Sequence, residues 1–338
     1  MVDVNPKIGV VGAGAWGTAL ASLLARKGYE VLLWAYEKKV VQDINTNHQN
    51  SVYLAGFDLP KNLTSTSDLI ETIADKDLIL SVCPAQFVRT LTAEWAPHAR
   101  SDALIVSASK GIETGTTMLV SAVLEEVLPE HLHHQLAFLS GPSFAKEVVQ
   151  SMPTVVSIAA YDEHVAERVQ HIFYSPDFRT YRTTDVVGVE VGGALKNVMA
   201  IATGMADGLG LGYNARAALI TRGMVELTRM AAALGADPLT MMGLAGFGDL
   251  VLTCTGDLSR NRMVGMALGK GQPLQEVLDS MPQVVEGVTT AKSAYNLARK
   301  LNVETPILDE IYFILHEGRP VEGGTERLMM RSLKREEL

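Results

Sequence analysis

Two lysines, Lys110 and Lys196, have surroundings typical of groups that exchange protons with a reacting oxygen. Lys110 follows a short apolar stretch, Ala103–Ser107, where the ends of parallel strands meet a ligand crevice. Lys196 comes one helical turn after Gly192 and Gly193, whose small size allows close approach to that helix face. Desolvation or a neighbouring cation lets a lysine exchange protons near neutral pH. Both residues are therefore candidates for acid–base chemistry at a carbonyl.

A downstream group of residues has the composition of an anion site. Gly246–Asp249 is followed by Thr253 and then by the sequence Ser-Arg-Asn-Arg, which begins at Ser259. Ser259 is a suitable N-cap for a helix whose first turn contains Arg260 and Asn261. Basic side chains in a first turn oppose the helix dipole, so a bound anion explains them better than helix stability does. Phosphate is the natural candidate, because arginine binds it in bidentate fashion.

The histidines and cysteines predict no metal site. His131, His133 and His134 cluster in a segment rich in chain-reversal signals, which favours a solvated loop over a metal centre. Cys83 and Cys254 are far apart and form no CxxC pair, so we expect packing residues in a reducing compartment.

A glycine-rich turn near the N-terminus predicts dinucleotide binding. The sequence Gly-Ala-Gly-Ala-Trp-Gly from Gly12 to Gly17 follows an apolar strand, Ile8–Val11, and opens a helix over Thr18–Lys27. In this fingerprint Gly12 permits the tight turn, Gly14 lets a pyrophosphate approach the backbone, and Gly17 lets the helix pack on the strand. The N–H groups at the helix start then bind the anion.

The end of the second strand bears on the choice between NAD and NADP, because a carboxylate there accepts the ribose hydroxyls. Ala35 offers none, and Lys38 and Lys39 could pair with a 2′-phosphate, yet Glu37 is near enough to accept a ribose. The choice stays open with a slight preference for NADP. Tyr36 is a candidate for stacking on the adenine and equally for an ordinary half-buried aromatic.

The elements that must position these residues show two different secondary-structure patterns, one in each half of the chain. Six short apolar runs predict strands, and the first half alternates them with helices, as in an α/β Rossmann-type doubly wound sheet. A further predicted strand, Phe178–Thr183, closes this domain. The predicted strands are Ile8–Val11, Glu30–Trp34, Leu78–Val82, Ala103–Ser107, Leu136–Ser140, Val155–Ala159 and Phe178–Thr183.

After about Asp185 the β-branched runs almost vanish and apolar residues recur at helical spacing, notably over Val186–Asp207, Ala215–Leu234 and Thr289–Lys300. We therefore expect a Rossmann domain over residues 1–185 and an all-α C-terminal domain over residues 186–338 that carries substrate binding and catalysis.

Composition and charge narrow the functional classes. The 338 residues are 47% hydrophobic and 20% charged, which is typical of a globular protein. A formal net charge of −9 argues against nucleic acid or an anionic membrane as the main partner. No signal-like N-terminus and no uncharged apolar run of the ~18–20 residues that cross a bilayer are evident, so we expect a cytoplasmic protein. The tail Lys334–Leu338 resembles an ER-retention ending, but a solvated tail is favoured.

Taken together, the sequence resembles the bacterial-type NAD(P)-dependent glycerol-3-phosphate dehydrogenase family over nearly its whole length. Six motifs in order are far more specific than a single fingerprint. They are GAGAWG at 12–17, SKGIE at 109–113, LSGPSFAKEV at 139–148, GALKNVMAIATGMADGLGLG at 193–212, GFGDLVLTCTGDLSRN at 246–261 and VVEGVTTAK at 284–292.

This resemblance implies a Rossmann domain, a helical domain and reversible reduction of dihydroxyacetone phosphate to sn-glycerol 3-phosphate. Lys196 matches the family's proton-transfer lysine. Asn197, which is adjacent to Lys196 in the sequence, and Thr253 are also candidates for the substrate site. The other matched substrate positions are Lys110, Gly141, Ser143, Asp249, Ser259, Arg260 and Asn261. The matched cofactor positions are Trp16, Tyr36, Ala145, Val284 and Glu286, with Lys110 and Arg260 also near the cofactor and Phe87 as a further nicotinamide-side contact. Ala15 departs from the family, where many relatives carry serine.

The mechanism expected from this resemblance moves hydride to C2 of the ketone while Lys196 donates a proton to the oxygen. Lys110 polarises the carbonyl or holds the phosphate, and Asp249 orients Lys196 and stabilises its charge. We also expect a homodimer through the helical domain.

Two other functions remain open from the residues alone. A β-hydroxyacid or 6-phosphogluconate type dehydrogenase shares the architecture but places an asparagine one turn after its lysine, where this chain has Ala200. A non-catalytic dinucleotide sensor would keep the glycine-rich turn without needing Lys110, Lys196, Asp249 and Arg260.

Overall fold

A computed structural model describes residues 5–281 and 283–336, and the chain divides into two compact units. The first comprises residues up to Lys110 together with Val120–Val186, and the second comprises Gly111–Leu119 and the residues from Val187 onward. The sequence analysis assigned Gly111–Leu119 to the first domain. Ile112 and Leu119 instead pack in the apolar core of the second unit. Chain order alone could not show which core these two side chains join.

Within the described residues of the first unit, eight strands form one sheet in the order β3-β2-β1-β4-β5-β6-β7-β8. Its first six positions have the strand order of a Rossmann sheet, which confirms the predicted fold class. The strands are β1 Lys7–Val11, β2 Glu30–Trp34, β3 Leu63–Thr66, β4 Leu78–Ser81, β5 Leu104–Ser107, β6 Leu136–Ser140, β7 Thr154–Ala159 and β8 Phe178–Thr183.

The sheet departs from the sequence prediction in three places. β3 was missed, because its short Leu-Thr-Ser-Thr run carries a single strongly apolar side chain. β6 and β7 pair antiparallel, although the remaining strand pairs are parallel. β8 alternates buried and exposed residues over most of its length, as expected of an edge strand rather than of one covered on both faces.

Helices flank this sheet and contribute one apolar core, in which Ile8, Leu20, Leu24, Leu33 and Phe173 are fully buried. The helices of the first unit are α1 Ala15–Arg26, α2 Lys38–Asn47, α3 Leu69–Ile73, α4 Val88–Trp95, α5 Val120–Val127, α6 Ala145–Val149 and α7 Glu163–Phe173.

From Val187 onward the second unit is built of helices joined by loops, as predicted, and it has a separate apolar core. Its segment Gly111–Leu119 is a turn closed by an Ile112–Leu119 bridge. Its helices are α8 Val186–Gly208, α9 Gly212–Ala233, α10 Asp249–Thr255, α11 Arg260–Gly269, α12 Leu274–Asp279, α13 Glu286–Lys300, α14 Pro306–His316 and α15 Gly324–Met329. A π-helical turn, Leu244–Gly248, precedes α10.

The longest helix, α8, is the central element of the second core. By length and mean hydropathy it could cross a membrane, which the sequence analysis did not anticipate. However, 89% of its most apolar window is buried inside the protein. The helix is therefore apolar because other helices surround it, as in the core of a soluble domain.

Candidate active site

The glycine-rich turn has the geometry that a dinucleotide requires. Gly12 has φ = +117°, a conformation that L side chains rarely adopt. A Cβ at Gly17 would lie 1.9 Å from the Gly12 carbonyl oxygen, so only glycine lets α1 start this close to the turn. A Cβ at Gly14, in contrast, would meet no atom within 4 Å. Open space at Gly14 is what the approach of a pyrophosphate demands.

Asn50, a residue that the sequence analysis missed, stabilises the glycine-rich turn through hydrogen bonds. Asn50 is almost fully buried, and its amide donates hydrogen bonds of 2.9 Å to the Ala13 carbonyl and to the Thr18 hydroxyl. Thr18 also donates to the Ala13 carbonyl. Asn50 lies 37 residues from Ala13, so no local sequence signal pointed to it.

Six buried side-chain polar atoms among the described residues of the first unit have no hydrogen-bond partner within the protein. Two of them belong to the motifs predicted to bind ligands, namely Nε1 of Trp16 and Oγ of Ser140. Trp16 is on the first turn of α1, and Ser140 ends β6 at the carboxyl side of the strand. Buried polar atoms are usually paired, so these two fit a bound ligand with hydrogen-bonding groups. Together with the space at Gly14, they fit a nicotinamide dinucleotide.

The end of β2 bears on cofactor choice. Ala35 is buried, whereas Tyr36 is 81% exposed and its ring meets Trp34 edge-on. The Glu37 carboxylate accepts a hydrogen bond of 2.6 Å from the hydroxyl of Tyr53, another residue that sequence analysis missed. This bond raises the pKa of Tyr53 to about 12. Glu37 therefore already has a protein donor.

Lys110 and the turn after β6 come together in the first unit. Gly141 has φ = +145°, and its carbonyl accepts a 2.9 Å hydrogen bond from the Ser143 hydroxyl. The Lys110 ammonium lies 3.4 Å from the same carbonyl. Ala145 begins α6 and packs partly against the core, while Phe87, at the end of a short helical turn after β4, is 55% exposed.

In the second unit, Lys196 of α8 is buried and held by two residues of α10. Its ammonium donates a 2.9 Å hydrogen bond to the Thr253 hydroxyl and lies 3.1 Å from Oδ1 of Asp249. The Thr253 hydroxyl is in turn 2.6 Å from the Asp249 backbone carbonyl. Side-chain exposure is 9% for Lys196 and 2% for Asp249. The three predicted residues thus form one hydrogen-bonded group.

Close packing explains how α8 and α10 bring these groups together. A Cβ at Gly192 would lie 2.4 Å from the Ala245 carbonyl, so glycine lets the π-helical turn rest directly on α8. One turn further along each helix, Lys196 faces Asp249. The small residues predicted to allow close approach therefore accommodate the protein's own backbone.

Asn197 and Asn261, both predicted to bind substrate, are bonded to each other. The Asn261 amide donates a 2.9 Å hydrogen bond to Oδ1 of Asn197, and its own Oδ1 accepts from the Gly287 backbone at 3.0 Å. Both side chains are more than nine-tenths buried. These contacts join α8, α11 and the start of α13.

Ser259 is the N-cap of α11, as predicted, with its hydroxyl accepting from the backbone N–H of Arg262 at 3.3 Å. Arg260 is exposed and donates a 3.1 Å hydrogen bond to the carbonyl of Val284, itself 52% exposed. Neighbouring protein atoms withdraw Arg260 from part of its solvent and lower its pKa, while the charge of Glu286 opposes this shift.

The remaining candidates stay outside this group. Glu130–Gln135 forms a short 3-10 helix in which His133 bonds the Leu128 carbonyl. Both cysteines are buried, and burial raises the pKa of Cys254 to about 12. Among residues 5–281 and 283–336, no group of three or more His, Cys, Asp or Glu side chains could hold a metal ion.

Comparison with known proteins gives consistent matches over both units. Residues 7–166 match the N-terminal profile of NAD-dependent glycerol-3-phosphate dehydrogenase, and residues 185–326 match the C-terminal profile. A glycerol-3-phosphate dehydrogenase, NAD(P)+, of Syntrophotalea carbinolica is 52% identical over 97% of this chain and 99% of its own length. The Leptospira biflexa protein of the same name is 54% identical over 98% and 99%, respectively.

Solved structures agree with these sequence matches. The crystal structure of glycerol-3-phosphate dehydrogenase from Coxiella burnetii superposes with a TM-score of 0.92 at 37% identity, covering 97% of this chain and 99% of that one. Profiles, relatives and structure all coincide over nearly the full length, and this chain therefore belongs to the NAD-dependent glycerol-3-phosphate dehydrogenase family.

Proposed function

We propose that this chain is an NAD(P)-dependent sn-glycerol-3-phosphate dehydrogenase that interconverts dihydroxyacetone phosphate and sn-glycerol 3-phosphate. The observation that carries the proposal is the buried Lys196 ammonium, held by Asp249 and Thr253 in a family member. A buried cation keeps its position only with such partners. Its placement suits the delivery of one proton to one atom of a small substrate.

In the reducing direction, Lys196 Nζ donates a proton to the oxygen at C2 of the ketone. The hydride for the same carbon would come from a reduced nicotinamide when that cofactor is bound. Asp249 and Thr253 orient the ammonium, and the Asp249 charge stabilises it before transfer. Removing a positioned general acid typically costs ~10²–10⁴ in rate.

The phosphate of the substrate is held at the start of α11. Arg260 supplies a bidentate donor, and the backbone N–H groups of the first turn point toward the same anion. The Asn261 side chain is bonded within the protein, so its contribution is to hold α11 in place. Lys110, beside Gly141, polarises the carbonyl or contacts the phosphate.

NADPH is the preferred cofactor in this proposal, with NADH also accepted. Glu37 is engaged by Tyr53, whereas Lys38 and Lys39 are exposed and available to a 2′-phosphate. Trp16, Tyr36, Phe87 and Ala145 line the dinucleotide from the first unit. Val284 and Glu286 of the second unit are further candidates for the cofactor site.

The cellular setting proposed is the cytoplasm, where the product feeds glycerophospholipid synthesis. A homodimer formed through the helical unit is the proposed assembly, because apolar residues such as Tyr213, Leu239 and Met242 are exposed there. Light scattering coupled to size exclusion would show a mass near 73 kDa, twice the chain mass of 36.5 kDa, and a monomer mass would refute the dimer.

The first experiment follows absorbance at 340 nm with dihydroxyacetone phosphate, once with NADPH and once with NADH. Lys196→Ala should lose ~10²–10⁴ in turnover, whereas Lys292→Ala, which removes an exposed lysine of α13, should keep it. Normal turnover in Lys196→Ala, with both ligands bound, would remove Lys196 from proton transfer.

The same experiment separates the other functional classes. Cofactor binding without oxidation on any phosphorylated ketone would favour the dinucleotide sensor. Turnover on a 3-hydroxyacid would favour the rival dehydrogenase, whose asparagine position is here the fully buried Ala200.

A further inference from the structure

The helices that carry the proposed proton donor and the proposed phosphate site run side by side in a fixed register. A Cβ at Gly265 of α11 would lie 2.1 Å from the Ile201 carbonyl of α8, and one at Gly269 would lie 2.4 Å from the Met205 carbonyl. Together with the Asn197–Asn261 bond, these contacts pair positions 64 residues apart at every fourth residue. Glycines thus let α8 and α11 approach at backbone distance.

The glycine contacts set how closely α11 approaches α8, and directional side-chain bonds at the start of α11 add to them. Arg262 supplies directional bonds in the first turn. Its guanidinium donates through Nε at 3.0 Å and Nη2 at 2.8 Å to Oδ2 of Asp207, near the end of α8. Nη1 donates at 2.9 Å to Asp257, in the loop before α11. Arg262 and Asp207 are 8% and 7% exposed.

The sequence analysis grouped Arg262 with the anion-binding residues of this first turn. The structure corrects that grouping for Arg262, whose guanidinium is already bonded to two carboxylates. Its neighbour Arg260 is exposed and donates a hydrogen bond to the backbone carbonyl of Val284. The position of Arg260 therefore depends on how the first turn of α11 is oriented.

We propose that Arg262, through its bonds to Asp207 and Asp257, is a positioning residue that sets the orientation of the phosphate-binding turn relative to Lys196. The inference rests on the proposed function and deepens it. α11 is held at two points of α8, Asn197 and Asp207, which are ten residues or about 15 Å apart along the helix.

Arg216, which is bonded to the same carboxylate of Asp207, provides a matched control. Oδ1 of Asp207 accepts two bonds from Arg216 of α9, at 2.8 and 2.6 Å, whereas its Oδ2 serves Arg262. Arg216→Met therefore removes a guanidinium from the same carboxylate without releasing α11. Arg262→Met releases α11.

The test compares kcat/KM for dihydroxyacetone phosphate with kcat/KM for dihydroxyacetone in each variant. This ratio measures recognition of the phosphate and is independent of the fraction of folded enzyme. We expect it to fall at least tenfold in Arg262→Met and Asp207→Asn, to fall less in Arg262→Lys, and to stay within twofold in Arg216→Met.

A ratio within twofold of wild type in Arg262→Met, or an equal loss in Arg216→Met, would overturn the proposal. If Arg262→Met does not fold, Asp207→Asn and Arg262→Lys decide the outcome by the same ratio. Calorimetric titration with sn-glycerol 3-phosphate supplies a reading without turnover, in which Kd should rise in parallel. If the wild-type protein binds sn-glycerol 3-phosphate but does not reduce the ketone, the proposed function is refuted. The titration would still test the role of Arg262, because it measures binding without turnover.

Discussion

At the residue scale, the central feature is the buried ion pair between Lys196 and Asp249, to which the Thr253 hydroxyl is hydrogen-bonded. Lys196 and Asp249 are both withdrawn from water, and Thr253 bonds to both residues. Removing one member of such a pair leaves an uncompensated charge, which commonly costs ~3–5 kcal/mol. Variants at this site therefore need a folding control, and the exposed Lys292 provides the matched lysine.

A second residue-scale feature predicts the cofactor preference. Glu37→Gln removes a negative charge close to the proposed 2′-phosphate while keeping an acceptor for the Tyr53 hydroxyl. The ratio of kcat/KM for NADPH to that for NADH should rise by up to ~5-fold, as expected for one partly exposed charge contact. Lys38→Gln should move the ratio the opposite way, because it removes a cation from the same segment. A shift toward NADH in Glu37→Gln would contradict the proposed position of the phosphate.

At the element scale, Gly14 and Gly17 of the glycine-rich turn have different physical roles. Gly17→Ala should destabilise the fold, since its Cβ would lie 1.9 Å from the Gly12 carbonyl. Gly14→Ala should leave the midpoint of urea unfolding unchanged, because that Cβ meets open space. Yet Gly14→Ala should raise the Kd for NADPH at least tenfold by filling the pyrophosphate space, as measured by fluorescence titration. Equal cofactor affinity in Gly14→Ala would place the pyrophosphate elsewhere.

Another element-scale feature is the start of α14, which is capped by a side chain from α9. Both oxygens of Glu226 accept backbone N–H groups, from Ile307 at 2.7 Å and Leu308 at 3.1 Å. Burial raises the pKa of Glu226 from 4.5 to about 8 even though these two bonds lower it. A carboxyl that is protonated in the folded state thus joins the two helices near neutral pH.

The pH dependence of stability follows from this raised pKa. Between the unfolded value of 4.5 and the folded value of about 8, the folded protein binds the extra proton. The contribution of Glu226 to the free energy of unfolding therefore decreases as pH rises through that interval, by up to a few kcal/mol. Urea unfolding measured at pH 5 and at pH 8.5 should give free energies of unfolding that differ less between the two pH values in Glu226→Gln than in wild type. The exposed Glu326→Gln is the control, and an unchanged difference in Glu226→Gln would refute this assignment.

At the scale of the whole molecule, the burial of the apolar helix α8 bears on whether the protein partitions into membranes. Its hydropathy is that of a membrane span, yet most of the helix is enclosed by other helices. We expect the protein to stay in the supernatant after ultracentrifugation of a detergent-free lysate. Recovery in the membrane pellet that alkaline carbonate does not release would contradict this expectation.

The sequence by itself determined the parts of this protein that depend on neighbours along the chain. The glycine-rich turn, the short apolar strands, the N-cap at Ser259 and the helical second half all followed from local spacing. Those patterns are local because one turn, one strand or one cap is completed within a few residues. The order of the six motifs was enough to indicate the family, which the comparisons then confirmed.

Only the tertiary structure decided which distant side chains meet. Asn50 under the Ala13 carbonyl, Tyr53 on Glu37, Glu226 at α14 and Arg262 on Asp207 are partners 16 to 81 residues apart. The same holds for Gly111–Leu119, whose apolar residues join the second core. Composition and periodicity show that a side chain must be buried or bonded, but they do not show its partner. The partner is chosen by packing, which depends on the positions of all the helices and strands together.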